Sequence, residues 1–324
     1  MTTTTTRRDL LKWSGLAMGV ALLPNALRPS AVFAEGTAQR KRSIRLAHLT
    51  DMHIQPEKAA GEGVAACLQH VQGLDDRPEL ILTGGDTIMD SAGQNYDRTK
   101  LQWDLWKSVL KAECSLPVRS CLGNHDVWGW YKKGSKTTGS EPRWGKQWAC
   151  DEFGIAKPYY SFDQAGWHFV LLDSIFPNEQ TTYEGRLDDE QFAWLESDLA
   201  ATPATTPVLV MSHIPILAAC AIACRNADKD LEPFDLHGNT HTDQPKIRDL
   251  FLKHSNVKLC LSGHMHQQDR VDYRGVTYVC NGAVCGDWWK GEHIGTKPGY
   301  AVVDLFDDGT FANQYVEFGW KARA

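Results

Sequence analysis

Five short polar motifs, each placed where an apolar stretch of the chain ends, limit the folds open to this sequence. Apolar stretches of four to eight residues that end in glycine or polar residues are typical of buried strands. Because the carboxyl ends of parallel strands share one edge of a sheet, side chains at these positions converge, which predicts an α/β fold with a site at that edge. The motifs are Asp51-Met52-His53, Gly85-Asp86, Gly123-Asn124-His125-Asp126, His213 and Gly263-His264-Met265-His266.

Apolar stretches and helical patterns alternate in the first part of the chain. Strands over Ile44–Thr50 and Leu80–Thr83, with a helix over Val64–Val71 between them, predict a β-α-β unit, and a helix over Thr99–Ala112 and a strand over Val118–Leu122 continue it. Later elements are predicted at Tyr159–Asp163, Trp167–Asp173, Val208–Ser212, Val257–Ser262, Thr277–Cys280 and Tyr300–Phe306, with a capped helix at Asp188–Ala200. Two long insertions after candidate site residues are expected to form walls or lids: Trp128–Lys157 and Ile216–Asp243.

The motifs carry oxygen and imidazole donors in patterns that suit a metal ion. Asp51 with His53, and His264 with His266, are two residues apart, so in extended backbone each pair projects to one side. Glycines beside the other donors permit tight turns and close backbone approach. A donor set without thiolate suits zinc, manganese or iron. Taken singly, each motif is more typical of a structural residue, so only the order of all five indicates a metal site.

The ordered set D-x-H, G-D, G-N-H-D, H and G-H-x-H, over residues 43–281, resembles the signature of the calcineurin-like metallophosphoesterases. The resemblance implies an α/β fold in which two mixed β-sheets flanked by helices form a four-layer sandwich. It also implies two divalent metal ions, manganese, iron or zinc, as cofactors. The implied reaction is hydrolysis of a phosphate ester by a hydroxide that bridges the two ions.

Matched position by position, the family pattern assigns the metal ligands. One ion would be held by Asp51, His53 and His266. The other would be held by Asn124, His213 and His264. Asp86 would bridge the two ions, because two neighbouring cations need a shared anionic ligand to offset their repulsion.

Two residues of the third motif are assigned to catalysis. The resemblance makes His125 the general acid that gives a proton to the leaving group. Asp126 would lie behind His125, fixing the tautomer of the imidazole and raising its pKa. Alternatively, Asp126 forms a salt bridge or caps a turn, and the sequence is equally compatible with both interpretations.

Two positions indicate the branch of the family. Met89 stands where purple acid phosphatases have a tyrosine ligand, and His53 stands where their first motif lacks a histidine. The signature is that of the branch containing cyclic-nucleotide and other small phosphodiesterases, so a phosphodiester substrate is slightly favoured. The alternatives are a phosphomonoesterase using the same site and a nonenzymatic metal-binding module. A redox protein finds no support in a thiolate or haem attachment motif.

Loop residues are candidates for substrate contact. Trp288 or Trp289 would lean over the mouth of the site and hold a ring-bearing group of the ester, although such tryptophan pairs more often belong to ordinary packing. Three loop histidines are also placed where substrate contact is possible: His237, His241 and His293.

The first residues predict export. Twin arginines, Arg7 and Arg8, precede an apolar run over Trp13–Leu23 that is too short and Gly-rich to span a bilayer. The segment resembles twin-arginine signals, so residues 1–34 are predicted to be a signal peptide and residues 35–324 the metallophosphoesterase domain. The protein would be periplasmic or secreted, exported by the twin-arginine pathway, without stable membrane association. An uncleaved anchor is the alternative.

The net charge indicates which class of molecule the protein binds, and the cysteines are candidates for disulfides or a metal site. The formal charge of the whole chain is -6, and removal of residues 1–34 takes away four basic residues and one acidic residue. An acidic surface disfavours nucleic acid and anionic lipid, so a small phosphoester substrate is expected. Nothing in the sequence selects an oligomeric state. The nine cysteines include two nearby pairs, Cys220 with Cys224 and Cys280 with Cys285, for which a buried thiol or a disulfide is more typical than a metal site.

Overall fold

The described chain begins with two consecutive β-α-β units. The computed structural model describes residues 40–223 and 238–323. The opening elements are β1 (Arg42–Leu49), α1 (Ala60–Gln72), β2 (Leu80–Thr83), α2 (Tyr96–Glu113) and β3 (Val118–Ser120). β1 pairs in parallel with β2, and β2 with β3, which confirms the predicted β-α-β arrangement and places their carboxyl ends on one edge.

The remaining strands complete two mixed sheets and a small hairpin. They are β4 (Tyr160–Gln164), β5 (Trp167–Leu172), β6 (Ile175–Asn178), β7 (Thr182–Gly185), β8 (Val208–Ser212), β9 (Val257–Ser262), β10 (Asp269–Tyr273), β11 (Val276–Cys280), β12 (Gly299–Phe306) and β13 (Phe311–Glu317). One sheet has the order β13-β12-β1-β2-β3, the second β10-β11-β9-β8-β5-β4, and β6 pairs with β7. In the second sheet β5, β8, β9 and β11 run parallel, whereas the edge strands β4 and β10 are antiparallel.

Helices cover the outer faces of the sheets. Those after α2 are α3 (Lys132–Ser135), α4 (Gln147–Phe153), α5 (Asp189–Ala201), α6 (Cys220–Ala223) and α7 (Gln244–Phe251). The predicted cap of α5 is present, because the Asp188 carboxylate accepts a hydrogen bond of 2.7 Å from the backbone N–H of Gln191. Among the described residues, none of these helices is long and apolar enough to cross a membrane.

Three apolar layers follow from the alternation of side chains along the strands. In β1, Leu46 joins the core between the two sheets, while its neighbour Ala47 joins the core under α1 and α2. In β8, Leu209 faces the central core and Val210 faces α5 and α7. Each buried leucine contributes about 1.5–3 kcal/mol, so these layers dominate the stability of the sandwich. The predicted α/β fold of two mixed sheets flanked by helices is confirmed.

Some predictions concern residues outside the described part of the chain. The signal peptide over residues 1–34, Cys224 and His237 all lie there. Within the described part, residues from Arg40 onward form one compact unit. All eight described cysteines are free thiols, so Cys280 and Cys285 are not joined. Cys280 instead shares a buried apolar cluster with Cys220, far away in sequence.

A histidine between two carboxylates predicts a pH-dependent contribution to stability. The ring of His168 on β5 contacts Asp198 at 2.9 Å and Asp163 at 2.6 Å, and these contacts, Asp198 first, raise the pKa of His168. The stabilisation should be complete below the ordinary pKa of about 6.5 and should disappear as pH rises through the higher folded-state pKa. Urea unfolding of wild type and His168→Gln should give a free-energy gap that is largest near pH 6 and shrinks toward pH 9. An equal gap at every pH would contradict this assignment.

Candidate metal centre

Unusual backbone conformation marks the loops that carry the motifs. Five of the seven predicted ligands lie in the left-handed region: Asp51 (φ 55°), His53 (φ 42°), Asp86 (φ 52°), His264 (φ 69°) and His266 (φ 53°). The expectation that the i,i+2 pairs converge through extended backbone is therefore wrong. They converge because alternate residues turn left-handed after β1 and β9, while Met52 between them points into the core. Each such residue costs about 1–3 kcal/mol, and surrounding contacts must hold it.

The first group of donors gathers around two imidazoles. The Nε2 atoms of His53 and His266 lie 3.2 Å apart. Oδ1 of Asp51 lies 3.3 Å from Nε2 of His266, and Oδ2 of Asp86 lies 3.5 Å from Nε2 of His53. All four side chains are almost completely buried.

The second group gathers around His213 at the end of β8. Its Nε2 lies 3.1 Å from Oδ1 of Asn124, 3.3 Å from Nδ1 of His264 and 3.3 Å from Oδ2 of Asp86. The same carboxylate oxygen of Asp86 thus faces both groups. The structure brings together all seven predicted ligands, in the two sets that the family pattern names, with Asp86 between them.

Backbone carbonyls determine which ring nitrogen faces the centre. A carbonyl oxygen can only accept, so the nitrogen beside it carries the proton and the opposite nitrogen offers its lone pair. Three rings are held in this way, with distances of 2.8 Å for His213 Nδ1 to Gly84 O, 2.8 Å for His264 Nε2 to Gly238 O, and 2.6 Å for His266 Nδ1 to Gly286 O. Convergent lone pairs and carboxylates are the donor set that borderline divalent cations require, so the residues present fit two metal ions.

The charges of the centre also favour cations. Burial by itself would raise the pKa values of Asp51 and Asp86, but neighbouring histidines, chiefly His266 for Asp51 and His213 for Asp86, outweigh it and lower both pKa values. Burial lowers the pKa of His213, yet the Asp86 carboxylate outweighs that effect and raises it to about 9. Buried carboxylates therefore keep their negative charge only with positive charge beside them.

Two glycines allow the loops to approach. A Cβ on Gly123 would lie 2.1 Å from Oδ1 of Asp86, and a Cβ on Gly263 would lie 2.3 Å from Oδ2 of Asp51. Both distances are far below contact, so any side chain would displace a carboxylate of the centre. The predicted role of these glycines in close backbone approach agrees with this geometry.

His125 faces the centre but is oriented differently from the way we expected. Its Nε2 lies 3.9 Å from Oδ2 of Asp86, and its Nδ1 contacts the carbonyl oxygen of Met89. The Asp126 carboxylate instead accepts backbone N–H groups of Thr87, Ile88 and Gly123 at 2.9, 3.2 and 2.9 Å. Asp126 is fully buried, and burial, with Asp86 beside it, raises its pKa to about 7. The capping interpretation of Asp126 thus describes the structure, and Met89 orients the imidazole.

The paired tryptophans have different surroundings. Trp289 is 1% exposed, belongs to the core under α1 and α2, and donates from Nε1 to the carbonyls of Met52 and His53 at 3.1 Å each. Trp288 is half-buried, and its ring centroid lies 4.6 Å from that of His266 and 5.9 Å from that of His53. Only Trp288 therefore lies at the face of the centre.

Several neighbours of the centre lie outside the five motifs. The ring of Tyr183 on β7 lies 6.2 Å from that of His264, and Sγ of Cys285 lies 4.0 Å from Nδ1 of His266. Tyr183 belongs to no motif, Cys285 was noted only for its spacing from Cys280, and carbonyl groups such as those of Met89 and Gly238 leave no trace in a side-chain pattern. His293 lies 5.6 Å from His266 between ring centroids, consistent with its predicted loop position, whereas His241 is buried.

Comparison with known proteins agrees with this geometry. The sequence profile of the family described as Calcineurin-like phosphoesterase matches residues 44–268. The chain belongs to this family. The phosphoesterase is 26% identical over 279 residues to a probable cyclic nucleotide phosphodiesterase of Synechococcus, covering 84% of this chain and 91% of the relative. It is 23% identical over 286 residues to the 3′,5′-cyclic adenosine monophosphate phosphodiesterase CpdA of Escherichia coli, covering 84% and 88%.

A solved structure shows the same fold. The phosphoesterase superposes on a dimetal phosphatase from Danio rerio with a TM-score of 0.56 and 15% identity, covering 86% of this chain and all of that one. The likeness supports the four-layer sandwich. Family membership together with the histidine and aspartate clusters makes this protein a phosphoric ester hydrolase with a dinuclear metal cofactor.

The position of Asp86 predicts a loss of metal from both sites. Asp86→Asn should abolish turnover and lower the content of both ions, because the substitution removes the charge of a side chain that faces both donor groups. Elemental analysis of the purified variant measures the metal content. Asp90→Asn is the matched control. Asp90 lies four residues further along the chain, and its carboxylate accepts a hydrogen bond of 3.0 Å from the side-chain amide of Gln94. An Asp86→Asn protein with two ions and the wild-type rate would contradict the bridging role.

Proposed function

We propose that this phosphoesterase hydrolyses small phosphodiesters that carry a ring, with cyclic nucleotides as the favoured class. The observation that carries the proposal is the place of Trp288, whose indole stands beside His266 and His53 at the face of the metal centre. Relatives named as cyclic nucleotide phosphodiesterases support the same class. A phosphomonoester substrate at the same centre is the alternative.

The predicted ligands would hold the two ions in the sets described above. Asp51, His53 and His266 would bind one ion, and Asn124, His213 and His264 the other, with Asp86 shared. The bound ions would supply Lewis-acid stabilisation of the phosphoryl oxygens and an activated water at neutral pH. Left-handed backbone and carbonyl-held rings keep these donors in place before substrate arrives, which is the preorganisation that such catalysis needs.

His125 would deliver the proton to the leaving group. Contact of Nδ1 with the Met89 carbonyl leaves Nε2 pointing into the cleft, and the side chain remains 27% exposed, unlike His53, His213 and His266, which are buried. Its backbone N–H donates to Oδ1 of Asp86 at 2.8 Å, so the loop that carries His125 is tied to the shared carboxylate. A reachable ring beside a fixed carboxylate is the arrangement expected of a general acid.

Trp288 would bind the organic part of the ester. The ring of His293 lies 5.7 Å from it between centroids, and His293 contacts Asp287 at 3.2 Å, which supports the loop from its far side. A flat, half-exposed indole beside the centre stacks on a purine or nitrophenyl ring and offers little to a small alkyl phosphate.

We also propose that the protein is exported and acts in the periplasm or outside the cell. The twin arginines Arg7 and Arg8 before a short apolar run support twin-arginine export, which carries folded proteins. An acidic overall charge supports a small soluble phosphoester, rather than nucleic acid or a membrane, as the partner.

The role of His125 predicts a dependence on the leaving group. His125→Ala should slow esters with alkoxide leaving groups by about 10²- to 10⁴-fold and nitrophenyl esters much less, because a stable leaving anion scarcely needs a proton. Steady-state rates on the two ester types, at equal metal content, measure the contrast. The same loss on both, with metal retained, would mean that His125 positions substrate or metal instead.

The proposed substrate class predicts a preference for diesters over monoesters, and the role of Trp288 predicts a preference for esters that carry a ring. Metal-reconstituted wild type should hydrolyse bis-nitrophenyl phosphate and a 3′,5′-cyclic nucleotide faster than nitrophenyl phosphate. Trp288→Ala should raise KM for the ring-bearing diesters by about one to two powers of ten, because stacking contributes about 1–3 kcal/mol, while sparing an alkyl phosphate.

Trp194→Ala is the matched control for this measurement. Trp194 is also half-buried, but it lies on α5 against Tyr159, in the outer helical layer. Its truncation should leave the KM of every substrate unchanged. If Trp288→Ala affects all substrates alike, or none, the ring-binding role is wrong; if the monoester is the better wild-type substrate, the diester proposal is wrong.

A further inference from the structure

The segment over residues 238–243 contacts one imidazole of the metal centre, that of His264, at the ring nitrogen that points away from the other donors. The carbonyl oxygen of Gly238 lies 2.8 Å from Nε2 of His264. Because this carbonyl accepts the Nε2 proton, Nδ1 of His264 is left unprotonated toward His213 and the second donor group. The orientation of His264 thus depends on where the 238–243 segment holds its first carbonyl.

Backbone hydrogen bonds hold the segment on one side. The N–H of His241 donates to the carbonyl of Pro215 at 3.1 Å, and the N–H of Thr242 donates to the carbonyl of Gly185 at 2.7 Å. A Cβ on Gly185 would lie 2.7 Å from the carbonyl oxygen of Thr240, so the contact with β7 is close. These bonds place the segment against the end of β7 and against Pro215, two residues after His213, but neither of them reaches β8 itself.

The side chain of His241 makes that connection. Its ring is 3% exposed, with Nδ1 3.0 Å from Oδ1 of Asp243 and Nε2 3.1 Å from Oγ of Ser212. Ser212 is the last residue of β8 and directly precedes His213. The other oxygen of Asp243 accepts the N–H of Leu187 at 3.1 Å, so both ends of the bridge are tied down.

The order Ser212, His241, Asp243 is that of a hydrolase triad, but the geometry argues against a nucleophile. The Ser212 hydroxyl donates to the carbonyl of Ile214 at 2.6 Å and is 2% exposed, so it is neither free nor reachable. The three side chains therefore act as a structural bridge between the end of β8, which leads directly to His213, and the 238–243 segment, whose Gly238 carbonyl contacts His264.

We propose that His241 is a positioning residue for the second metal site. It fixes the 238–243 segment to the end of β8, so that the Gly238 carbonyl holds His264 in the ligating tautomer next to His213. The inference rests on the proposed two-metal function and adds a residue that contacts neither metal nor substrate. Loss of hydrogen bonds behind metal ligands typically lowers metal affinity about 10- to 100-fold.

The experiment titrates the metal-free protein with Mn²⁺ and records both binding constants and the spin-coupled EPR signal of the ion pair. His241→Phe, which keeps a planar ring but no hydrogen bonds, should weaken the second ion about 10- to 100-fold, leave the first ion unchanged, and replace the coupled signal by that of a single ion. His241→Gln, which can still bond Ser212, should restore part of the loss.

His168→Phe is the matched control. His168, near the start of β5, is also a largely buried histidine held between two polar partners, Asp163 and Asp198. This variant should bind both ions as the wild type does. If His241→Phe fails to fold, Ser212→Ala removes the same bridge with a smaller change and should show the same selective loss.

The outcomes separate the inference from the proposed function. Two ions in the wild type, and the same two binding constants in His241→Phe or in Ser212→Ala, overturn the positioning role of His241 and leave the proposed function intact. Equal weakening of both ions in these variants also overturns it, because the effect would then be general destabilisation. A wild type that binds a single ion overturns the two-metal function and this inference with it.

Discussion

The metal centre depends on tertiary contacts that hold buried metal-binding groups closer together than their mutual repulsion would otherwise allow. The Nε2 atoms of His53 and His266 lie 3.2 Å apart and carboxylate oxygens lie within 3.5 Å of them, so the buried carboxylates repel one another unless positive charge lies between them. Loops with left-handed backbone at five positions add conformational strain. The two sheets oppose this repulsion and strain, because their central strands are buried on both faces and cannot shift without opening an apolar layer.

Main-chain carbonyls do most of the orienting. His213, His264 and His266 each have their outer nitrogen beside the carbonyl of a glycine, and His125 is held by the carbonyl of Met89. A carbonyl cannot change protonation state, so the tautomers it selects do not vary with pH as they could beside a carboxylate. Trp289 contributes in the same way, since its indole N–H binds the carbonyls of Met52 and His53 and so supports the loop that presents Asp51 and His53.

Residues that are adjacent in sequence have different roles at the metal centre. Trp288 and Trp289 are adjacent in sequence, yet one stands beside the imidazoles and the other fills the core, where a Cβ on Gly63 would lie 2.1 Å from its ring. On the other side, Tyr183 from the β6-β7 hairpin stands beside His264. The cleft therefore has an aromatic side chain next to each group of donors, which suits an ester with flat substituents.

Most strands of the two sheets were predictable, because apolar residues of buried strands form continuous runs that end in glycine or polar residues; β2, β8 and β9 have the bounds that were predicted. The edge strands β10 and β13 were missed, since their half-exposed side chains form no such run. The ordered motifs likewise indicated the seven residues that meet at the sheet edge, because strand ends share that edge in any parallel arrangement.

The sequence by itself determined the α/β class and the order of the five motifs, because these follow from the type and order of residues along strands. The resemblance of that order to a known family implied the two donor groups and the place of His125 beside them. Only the tertiary structure decided how each side chain is turned. The left-handed loops, the carbonyls behind the rings, the capping role of Asp126 and the bridge through His241 depend on contacts between residues distant in sequence, or on main-chain groups that every residue shares. Such contacts join Gly238 to His264, Ser212 to His241 and Thr87 to Asp126. The order of side chains along the sequence indicates neither the long-range contacts nor the positions of main-chain groups.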